Sequence, residues 1–336
     1  MEYDRQDGNR RIAIQEIARQ LGLSATTVSR ALSGKGRIGK ETQMKIASFL
    51  EENHYVPNII ERTEKRAGNI CVLLPGEEGH AQIPYFQEML LNIHDYFAAR
   101  KYGVMLVKTT ASEIQELRNL VEGHKIDGVI FTRIIENDEA MPYLKNRGIP
   151  YAVIGSWPDP QVLQVDFDQE GGCHDLTEVL IRMNMRKFAC IGGDKTHLVT
   201  QKRMRGIKKA FAEAGVSVEE EMIYTGAVYP SIVEKDVAEL LNKEVECILC
   251  LDDNICLAVM SALHKKNIAV PGQIRVASCY GSRMLASCYP PVTCLDFNTK
   301  EMGELISKKL LDAIEGHADY TQLLLGYNVL VKESTR

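Results

Sequence analysis

The stretch Ile14–Leu32 constrains the fold more narrowly than any other part of the chain, because it predicts two short helices joined by a tight turn. Apolar residues recur at helical spacing in both halves: Ile14, Ile17, Ala18 and Leu21, then Val28, Ala31 and Leu32. Gly22 suits the left-handed turn that ends a helix, and Ser24 is a favourable N-cap for the next one. The outer face of the second helix is small, hydroxylic and cationic: Ala25, Thr26, Ser29 and Arg30. Such a face suits the major groove of DNA, although an ordinary surface helix pair has the same pattern.

Positive charge is concentrated around these helices. From residue 8 to residue 50 the sequence contains eight lysines and arginines against two acidic residues, whereas the whole chain carries a formal net charge of −5. Binding to phosphates requires local positive charge, so this distribution favours DNA binding over a solvated helix pair. A third helix is predicted from Lys40 to Asn53, and Pro57 prevents its continuation.

Several short motifs resemble the lactose-repressor family of bacterial transcription regulators. In the first part of the chain they are Ile17-Ala18, Gly22-Leu23-Ser24, Thr27-Val28-Ser29-Arg30 and Tyr55-Val56-Pro57-Asn58. Later motifs are Asp127-Gly128, Asp252-Asp253, Val270-Pro271 and Pro290-Pro291-Val292-Thr293. The resemblance implies a DNA-binding headpiece at 1–58, a hinge linker at 59–68, and an effector-binding and dimerisation core at 69–336. It also implies a homodimer on palindromic double-stranded operator DNA.

The resemblance assigns the DNA contacts to the headpiece. The expected contact residues are Ser24, Ala25, Thr26, Thr27, Ser29, Arg30, Tyr55 and Asn58. Ala25, Thr26 and Arg30 are expected to contact base edges, while Ser24, Thr27 and Ser29 hold phosphates. In the family a linker leucine wedges into the minor groove and kinks it, but this chain has Glu64 at that position. Because phosphates repel a carboxylate, the sequence does not predict the kinking step.

From Asn69 onward, apolar runs alternate with amphipathic segments, and the rhythm restarts after Asp166. Continuous apolar strands between helices predict parallel sheets covered on both faces. The expected fold class is therefore an all-α helix-turn-helix headpiece plus an α/β core of two doubly wound parallel-sheet subdomains. By resemblance, this core is periplasmic-binding-protein-like. The N-subdomain is expected at about 69–159 and 294–322, and the C-subdomain at about 160–293 and 323–336, with crossovers near 156–163, 290–296 and 321–324.

Loops that follow the strands are expected to line a cleft between the subdomains. The candidate effector-binding residues are Tyr85, Phe86, Ser156, Trp157, Arg203, Asp253, Tyr280 and Phe297. An arginine, a carboxylate and aromatic rings suit a small polar ligand with an apolar face. By resemblance, Arg203 corresponds to the effector-binding arginine of the family, and Asp253 to the acid or amide after the fifth strand of the second half.

Five of these candidates also have a structural interpretation. Arg203 is compatible with a surface position near a helix N-terminus, and Asp253 with a helix cap. Trp157 is compatible with the core or with a plug between the lobes, and Tyr85 and Phe86 with side chains that merely close the cleft.

The sequence does not determine the chemical identity of the effector. Many sugar-binding members of the family have an aspartate where this chain has Tyr280. The missing acceptor weakens the case for an ordinary hexose and leaves a modified sugar or a nucleobase-like ring as alternatives. A sugar or sugar derivative is the favoured class.

Other classes of function lack a signature. The sequence has no dinucleotide-binding, Walker or nucleophile-elbow motif, so neither an enzyme nor a cofactor is expected. Cys247 and Cys250 form a C-x-x-C within an apolar strand, whose alternation directs the two sulfurs to opposite faces and disfavours a metal site. No apolar run reaches membrane-span length, and residues 1–7 do not resemble a secretory signal, so a cytoplasmic protein is expected. The alternative function is a clamshell solute-binding protein without operator recognition.

Overall fold

The computed structural model describes residues 10–33, 38–52, 55–58, 66–76, 84–134, 137–227 and 229–336. The chain divides into two compact units, Met1–Arg66 and Ala67–Arg336. Among the described residues, no helix has both the length and the apolar composition needed to cross a membrane.

The first unit contains the predicted helices α1 (Ile14–Leu21), α2 (Ala25–Ser33) and α3 (Lys40–Glu52). Their shared core consists of Ile17, Ala18, Val28 and Ile46, with partly buried neighbours around it. Gly22 has a φ of 67°, the left-handed conformation that the sequence predicts at the end of α1. The hydroxyl of Ser24 accepts a hydrogen bond from the Thr27 amide at 3.0 Å, as an N-cap does.

Two short strands accompany these helices. Strand β1 (Arg10–Ala13) pairs in parallel with β2 (Tyr55–Asn58), so that the segments before α1 and after α3 lie side by side. The sequence predicts an all-α headpiece, because helical periodicity gives no information on the short segments that flank the helices. The helical interpretation of Ile14–Leu32 is confirmed.

The second unit alternates strands and helices. In chain order they are β3 (Asn69–Pro75), α4 (Pro84–Ala98), β4 (Gly103–Thr109), α5 (Gln115–Glu122), β5 (Gly128–Phe131), α6 (Ala140–Arg147), β6 (Tyr151–Ile154), β7 (Leu163–Phe167), α7 (Gln169–Arg182), β8 (Phe188–Ile191), α8 (Leu198–Glu213), β9 (Ile223–Tyr224), α9 (Pro230–Leu240), β10 (Cys247–Cys250), α10 (Asp253–Lys265), β11 (Arg275–Ser278), α11 (Arg283–Ala286), β12 (Thr293–Asp296), α12 (Thr299–Ile314), β13 (Leu323–Leu325) and β14 (Asn328–Leu330).

These strands form two sheets, each at the centre of one lobe. The first has the order β13-β7-β6-β5-β3-β4 and is parallel; the second has the order β14-β12-β11-β10-β8-β9 and is parallel except for the β12–β14 pair. In β3, Ile70 and Val72 pack under α4 and α12, whereas Cys71 and Leu73 pack under α5 and α6. Both faces are therefore covered by helices, which is why the strands are continuously apolar.

The C-x-x-C pair follows the same alternation in the second sheet. Cys247 packs with α7 and α8, and Cys250 packs with α9 and α10, so the two sulfurs lie on opposite faces of β10. Burial raises the pKa of both thiols above its ordinary value. The described residues contain no group of three or more His, Cys, Asp or Glu that could hold a metal ion.

The crossings between the sheets lie later in the chain than the sequence predicted. Strand β7 pairs with β6 in the first sheet, β12 lies in the second, and β13 returns to the first. The chain therefore changes sheets after Phe167, after Asp296, and between Leu325 and Asn328, instead of at the predicted boundaries 160, 294 and 323. An apolar strand sequence specifies burial but not which sheet the strand joins, so the predicted boundaries were placed too early.

Aromatic rings pack together at these crossings. The centroids of Phe167 and Phe297 are 4.7 Å apart, and the Tyr280 ring stacks on Phe297 at 5.9 Å. Tyr327, between β13 and β14, contacts Phe297 at 6.4 Å. We call Phe167, Tyr280, Phe297 and Tyr327 the crossing cluster. It joins the cores of the two lobes into one apolar region.

Candidate functional site

A cavity of about 160 Å³ lies between the two lobes of the second unit, where the carboxyl ends of their strands meet. Its first wall comes from residues that end or follow β3, β5, β6 and β7, and its second from residues that follow β8, β10 and β11 or belong to α7 and α8. Ligands of open α/β sheets bind at such strand ends. Among the residues predicted from sequence, the cavity brings together Ser156, Arg203, Asp253 and Tyr280.

The other predicted residues do not line this cavity or cannot be placed. The Trp157 amide donates to Gln164 Oε1 at 2.6 Å, and its indole packs against the core under α5 and α6. Phe297 lies within the crossing cluster, behind Tyr280, and is buried. Both were predicted as ligand contacts because they follow strands, but packing directs them into the core. Tyr85 and Phe86 begin α4, and their side chains lie outside the described residues.

Arg203 is fixed on the second wall by neighbours from three elements. Its Nε donates to Gln169 Oε1 at 2.8 Å, and its Nη1 donates to the Leu251 carbonyl at 2.5 Å. Its guanidinium carbon lies 6.0 Å from the centre of the Tyr280 ring. The side chain is buried within α8, so the alternative of a surface arginine at a helix N-terminus is wrong.

Asp253 is fully buried and neither carboxylate oxygen has a hydrogen-bond partner among the described residues. The capping role belongs to Asp252, whose Oδ1 accepts from the Ile255 amide at 2.8 Å. Burial raises the pKa of the Asp253 carboxyl to about 6, and the negative charge of Asp252 acts in the same direction; the nearby Ser282 hydroxyl, the charge of Arg203 and the Asn254 amide oppose the shift. A buried carboxylate without donors is costly, so Asp253 is ready to accept hydrogen bonds from a ligand.

A polar network that the sequence analysis missed connects the two walls. Asp166, in β7, accepts from Ser156 Oγ at 2.8 Å and from Lys202 Nζ, on α8, at 2.6 Å. All three residues line the cavity. The charged residue inside the strand Leu163–Phe167 was an available signal, but the predicted boundaries place that strand in the other subdomain.

We expect Lys202→Met to lower the free energy of unfolding by about 1–3 kcal/mol, because it leaves the mostly buried Asp166 carboxylate without its cation. Denaturant titration of the full chain measures the change. Adding Asp166→Asn to Lys202→Met should restore most of the loss. Lys208 lies on the same helix as Lys202 and forms an exposed ion pair with Glu220. Lys208→Met is therefore the matched control and should change stability by about 1 kcal/mol or less. Equal losses in the two lysine variants would contradict the role of the pair.

Arg133 is a second missed residue, just after β5. It is buried and lines the cavity. Its Nη2 donates to the Thr109 carbonyl, and its Nη1 lies 3.7 Å from Asp138 Oδ2. Nε and Nη1 have no hydrogen-bond partner among the described residues. A charged residue two positions after the apolar run Gly128–Phe131 was the signal that could have identified it.

The predicted DNA-contact residues lie on one segment of the first unit. Ser24, Ala25 and Thr26 are exposed, Thr27 is partly exposed, and Val28 next to them is fully buried. Ser29 and Arg30 continue α2, and Tyr55 and Asn58 bound β2, but their side chains lie outside the described residues. Glu64 also lies outside the described residues.

Known proteins share both parts of this architecture. Residues 13–58 match the model for bacterial regulatory proteins of the lacI family, and residues 177–335 match the periplasmic binding protein-like domain. The HTH-type transcriptional regulator CelR of Thermobifida fusca is 26% identical over 336 residues, which cover 97% of this chain and 98% of that protein. The HTH-type transcriptional regulator RegA of Clostridium saccharobutylicum is 26% identical over 335 residues, with coverages of 96% and 99%.

Solved structures show the same fold. A transcriptional regulator CelR–cellobiose complex has a TM-score of 0.74 at 24% identity and covers 96% of this chain and 99% of its own. A LacI transcriptional regulator from Bacillus cereus subsp. cytotoxis NVH 391-98 has a TM-score of 0.74 at 26% identity, with coverages of 79% and 97%.

The helix-turn-helix unit and the two-sheet core together define a DNA-binding transcription regulator with a periplasmic-binding-protein-like domain. More particularly, residues 13–58 form a DNA-binding domain of the lacI family of bacterial regulatory proteins, and the relatives that match the full chain are HTH-type transcriptional regulators.

Proposed function

We propose that this protein is a cytoplasmic, ligand-responsive repressor that binds a palindromic operator as a homodimer and holds a sugar or sugar derivative in the cavity between its lobes. The ligand-binding part of this proposal rests on Asp253. Its carboxylate lines the cavity, is fully buried and has no hydrogen-bond partner among the described residues. Sugar hydroxyls are donors that satisfy such a group. The related CelR structure is a complex with cellobiose, which supports a carbohydrate ligand.

The proposed coupling follows from where the cavity residues lie. A ligand that contacts Asp253 on the second wall and Ser156 on the first is bound best at one arrangement of the two lobes. The linker enters the first lobe at Ala67 and Gly68, whose amides donate to the Asp127 carboxylate at 2.9 and 2.7 Å. Rearranging that lobe changes the starting point of the linker, and this couples the ligand to operator affinity.

Regulation without catalysis is the simplest use of this architecture, because the relatives named above are transcription regulators. A solute-binding protein without operator recognition is less well supported, because residues 13–58 match the DNA-binding domain of the family. Selection of duplexes from a random pool by the purified full chain, with and without sugars, tests both halves of the proposal. If no duplex is enriched under either condition, the proposal that the protein binds an operator is wrong.

We expect Arg30→Ala to weaken binding to the selected duplex by about tenfold or more, while binding to random duplex changes little. A base-contacting arginine contributes about 1–3 kcal/mol of discrimination, whereas nonspecific binding depends on phosphate contacts. Mobility-shift titrations with both duplexes measure the two affinities. Arg182→Ala, which removes an exposed arginine paired with Glu178 on α7, is the control and should leave both affinities unchanged. Equal losses on the two duplexes would show that Arg30 contacts the backbone instead.

A further inference from the structure

We infer that the ligand of the cavity is an acidic sugar, a polyhydroxyl compound that carries one carboxylate or phosphate, with its anion at Arg133 and its hydroxyls at Asp253. This inference rests on the proposed sugar-binding role of the cavity and names the chemical class of that sugar. It depends on two buried side chains, one from each lobe, that line the same cavity. Both have hydrogen-bonding atoms without a partner among the described residues.

Arg133 supplies the cationic end. Only 8% of the residue is exposed, and one nitrogen is occupied by the Thr109 carbonyl. The nearest carboxylate, Asp138, is 3.7 Å away, and its Oδ1 already accepts from the Ala140 amide at 2.8 Å. Asp138 therefore offsets part of the charge without filling Nε or Nη1, which stay without partners among the described residues. A buried donor on a charged group is costly until an acceptor reaches it.

The other cations of the cavity already have partners. Lys202 is paired with Asp166 at 2.6 Å, and Arg203 donates to Gln169 and to the Leu251 carbonyl. Arg133 is thus the cationic side chain of the lining with fully buried nitrogen atoms that have no hydrogen-bond partner among the described residues.

Asp253 supplies the opposite end. It is fully buried and its two oxygens lack donors, so it selects hydroxyl groups and repels an anion. Asp252, which also lines the cavity next to it, adds to that repulsion. An anionic ligand is therefore directed with its charge toward Arg133 and its hydroxyls toward Asp253.

A neutral sugar satisfies this arrangement less well. A hydroxyl oxygen at Arg133 accepts from an N–H group but does not neutralise the part of the positive charge that Asp138 leaves uncompensated. Hydrogen bonds between ionised partners are about twice as strong as neutral ones, and a carboxylate or phosphate supplies them. Carboxylate and phosphate offer the same acceptor chemistry to Arg133. The test therefore compares sugars that carry one or the other anion.

The test is isothermal titration of the full-length protein with matched sets of sugars. Each set contains a neutral sugar, its uronate and its 6-phosphate: glucose, glucuronate and glucose 6-phosphate; galactose, galacturonate and galactose 6-phosphate. A further pair is cellobiose and cellobionate. We expect one anionic member to bind at least about tenfold more tightly than its neutral counterpart. Whether the carboxylates or the phosphates show the gain identifies the anion.

Two variants assign the preference to Arg133. Arg133→Gln should reduce the preference for the anionic sugar about tenfold, with a change of less than about threefold for the neutral one. Because Arg133 also holds the Thr109 carbonyl, Arg133→Lys is the second variant; it keeps the charge and should keep part of the preference. Arg118→Gln, on α5 and away from the cavity lining, is the matched control and should leave every affinity unchanged.

The outcomes separate this inference from the proposed function. Neutral sugars that bind as tightly as their anionic partners, or a preference that survives Arg133→Gln, would overturn the inference and leave sugar regulation standing. If no sugar of either kind binds, the ligand half of the proposed function fails with it.

Discussion

Asp253→Asn should stabilise the ligand-free protein by about 2–3 kcal/mol at pH 7. Burial raises the pKa of this carboxyl from 3.8 to about 6, and each pKa unit corresponds to about 1.4 kcal/mol. Because the folded protein holds the proton more tightly than the unfolded chain, the carboxyl costs nothing below pH 4. The cost grows between about pH 4 and pH 6 and is fully present above pH 6. A neutral amide removes this cost, so the gain should be present at pH 7 and absent at pH 4.

Denaturant titrations at the two pH values measure the effect. The adjacent Asp252→Ala is the control, because it removes the cap of α10 and should destabilise the protein by about 1 kcal/mol. In the same preparation, Asp253→Asn should weaken binding of the best sugar of the panel by about tenfold or more, since the amide keeps only one acceptor oxygen, places a donor where the second is needed and lacks the negative charge. Destabilisation by Asp253→Asn at pH 7 would show that its carboxylate has internal partners.

The second large effect is expected for Arg203→Met, which should weaken sugar binding about a hundredfold. Arg203 lines the cavity, and we expect it to donate a hydrogen bond to a ligand hydroxyl there; truncating a charged group buried in an interface costs about 2–5 kcal/mol of binding. Loss of its charge also removes one of the interactions that lower the pKa of Asp253, so that pKa should rise further. In the wild type, sugar affinity should increase as the pH rises through about 6, and in the variant this increase should occur at higher pH.

Calorimetric titrations between pH 5 and pH 8 measure both the affinity and its pH dependence. Arg205→Met is the matched control, because Arg205 lies on the same helix, is exposed and pairs with Glu170. Its removal should cost about 1 kcal/mol of stability or less and leave the pH profile unchanged. Arg203→Lys keeps the charge and should keep the wild-type pH profile even if affinity falls. A shifted profile in the lysine variant would contradict the electrostatic explanation.

The helices of the first unit and the covered parallel sheets of the second could be predicted from sequence, because both depend on local periodicity. Residues at strand ends, such as Ser156 and Asp253, were also within reach, since the carboxyl ends of parallel strands meet. The sheet that β7 joins could not be predicted from sequence, because strand pairing depends on partners far away in the chain. The Asp166–Lys202 pair shares this limitation.

Arg133 and Phe297 illustrate two further limits. Arg133 follows an apolar strand as clearly as Asp253 does, but its significance lies in two unfilled N–H groups, which only the packed structure shows. Phe297 also follows a strand, yet its ring packs against Phe167 instead of facing the cavity. The direction of a side chain after a strand is decided by neighbours from other elements.

The crossing cluster has a mechanical consequence. Phe167, Phe297 and Tyr327 lie beside the three places where the chain passes from one sheet to the other, and Tyr280 extends their stack to the floor of the cavity. Separating the lobes at this point would expose these rings to water, so we expect relative motion of the lobes to be a rotation about the crossing cluster. Substitutions on the walls of the cavity can then change which small molecule is recognised while the axis of this rotation stays the same.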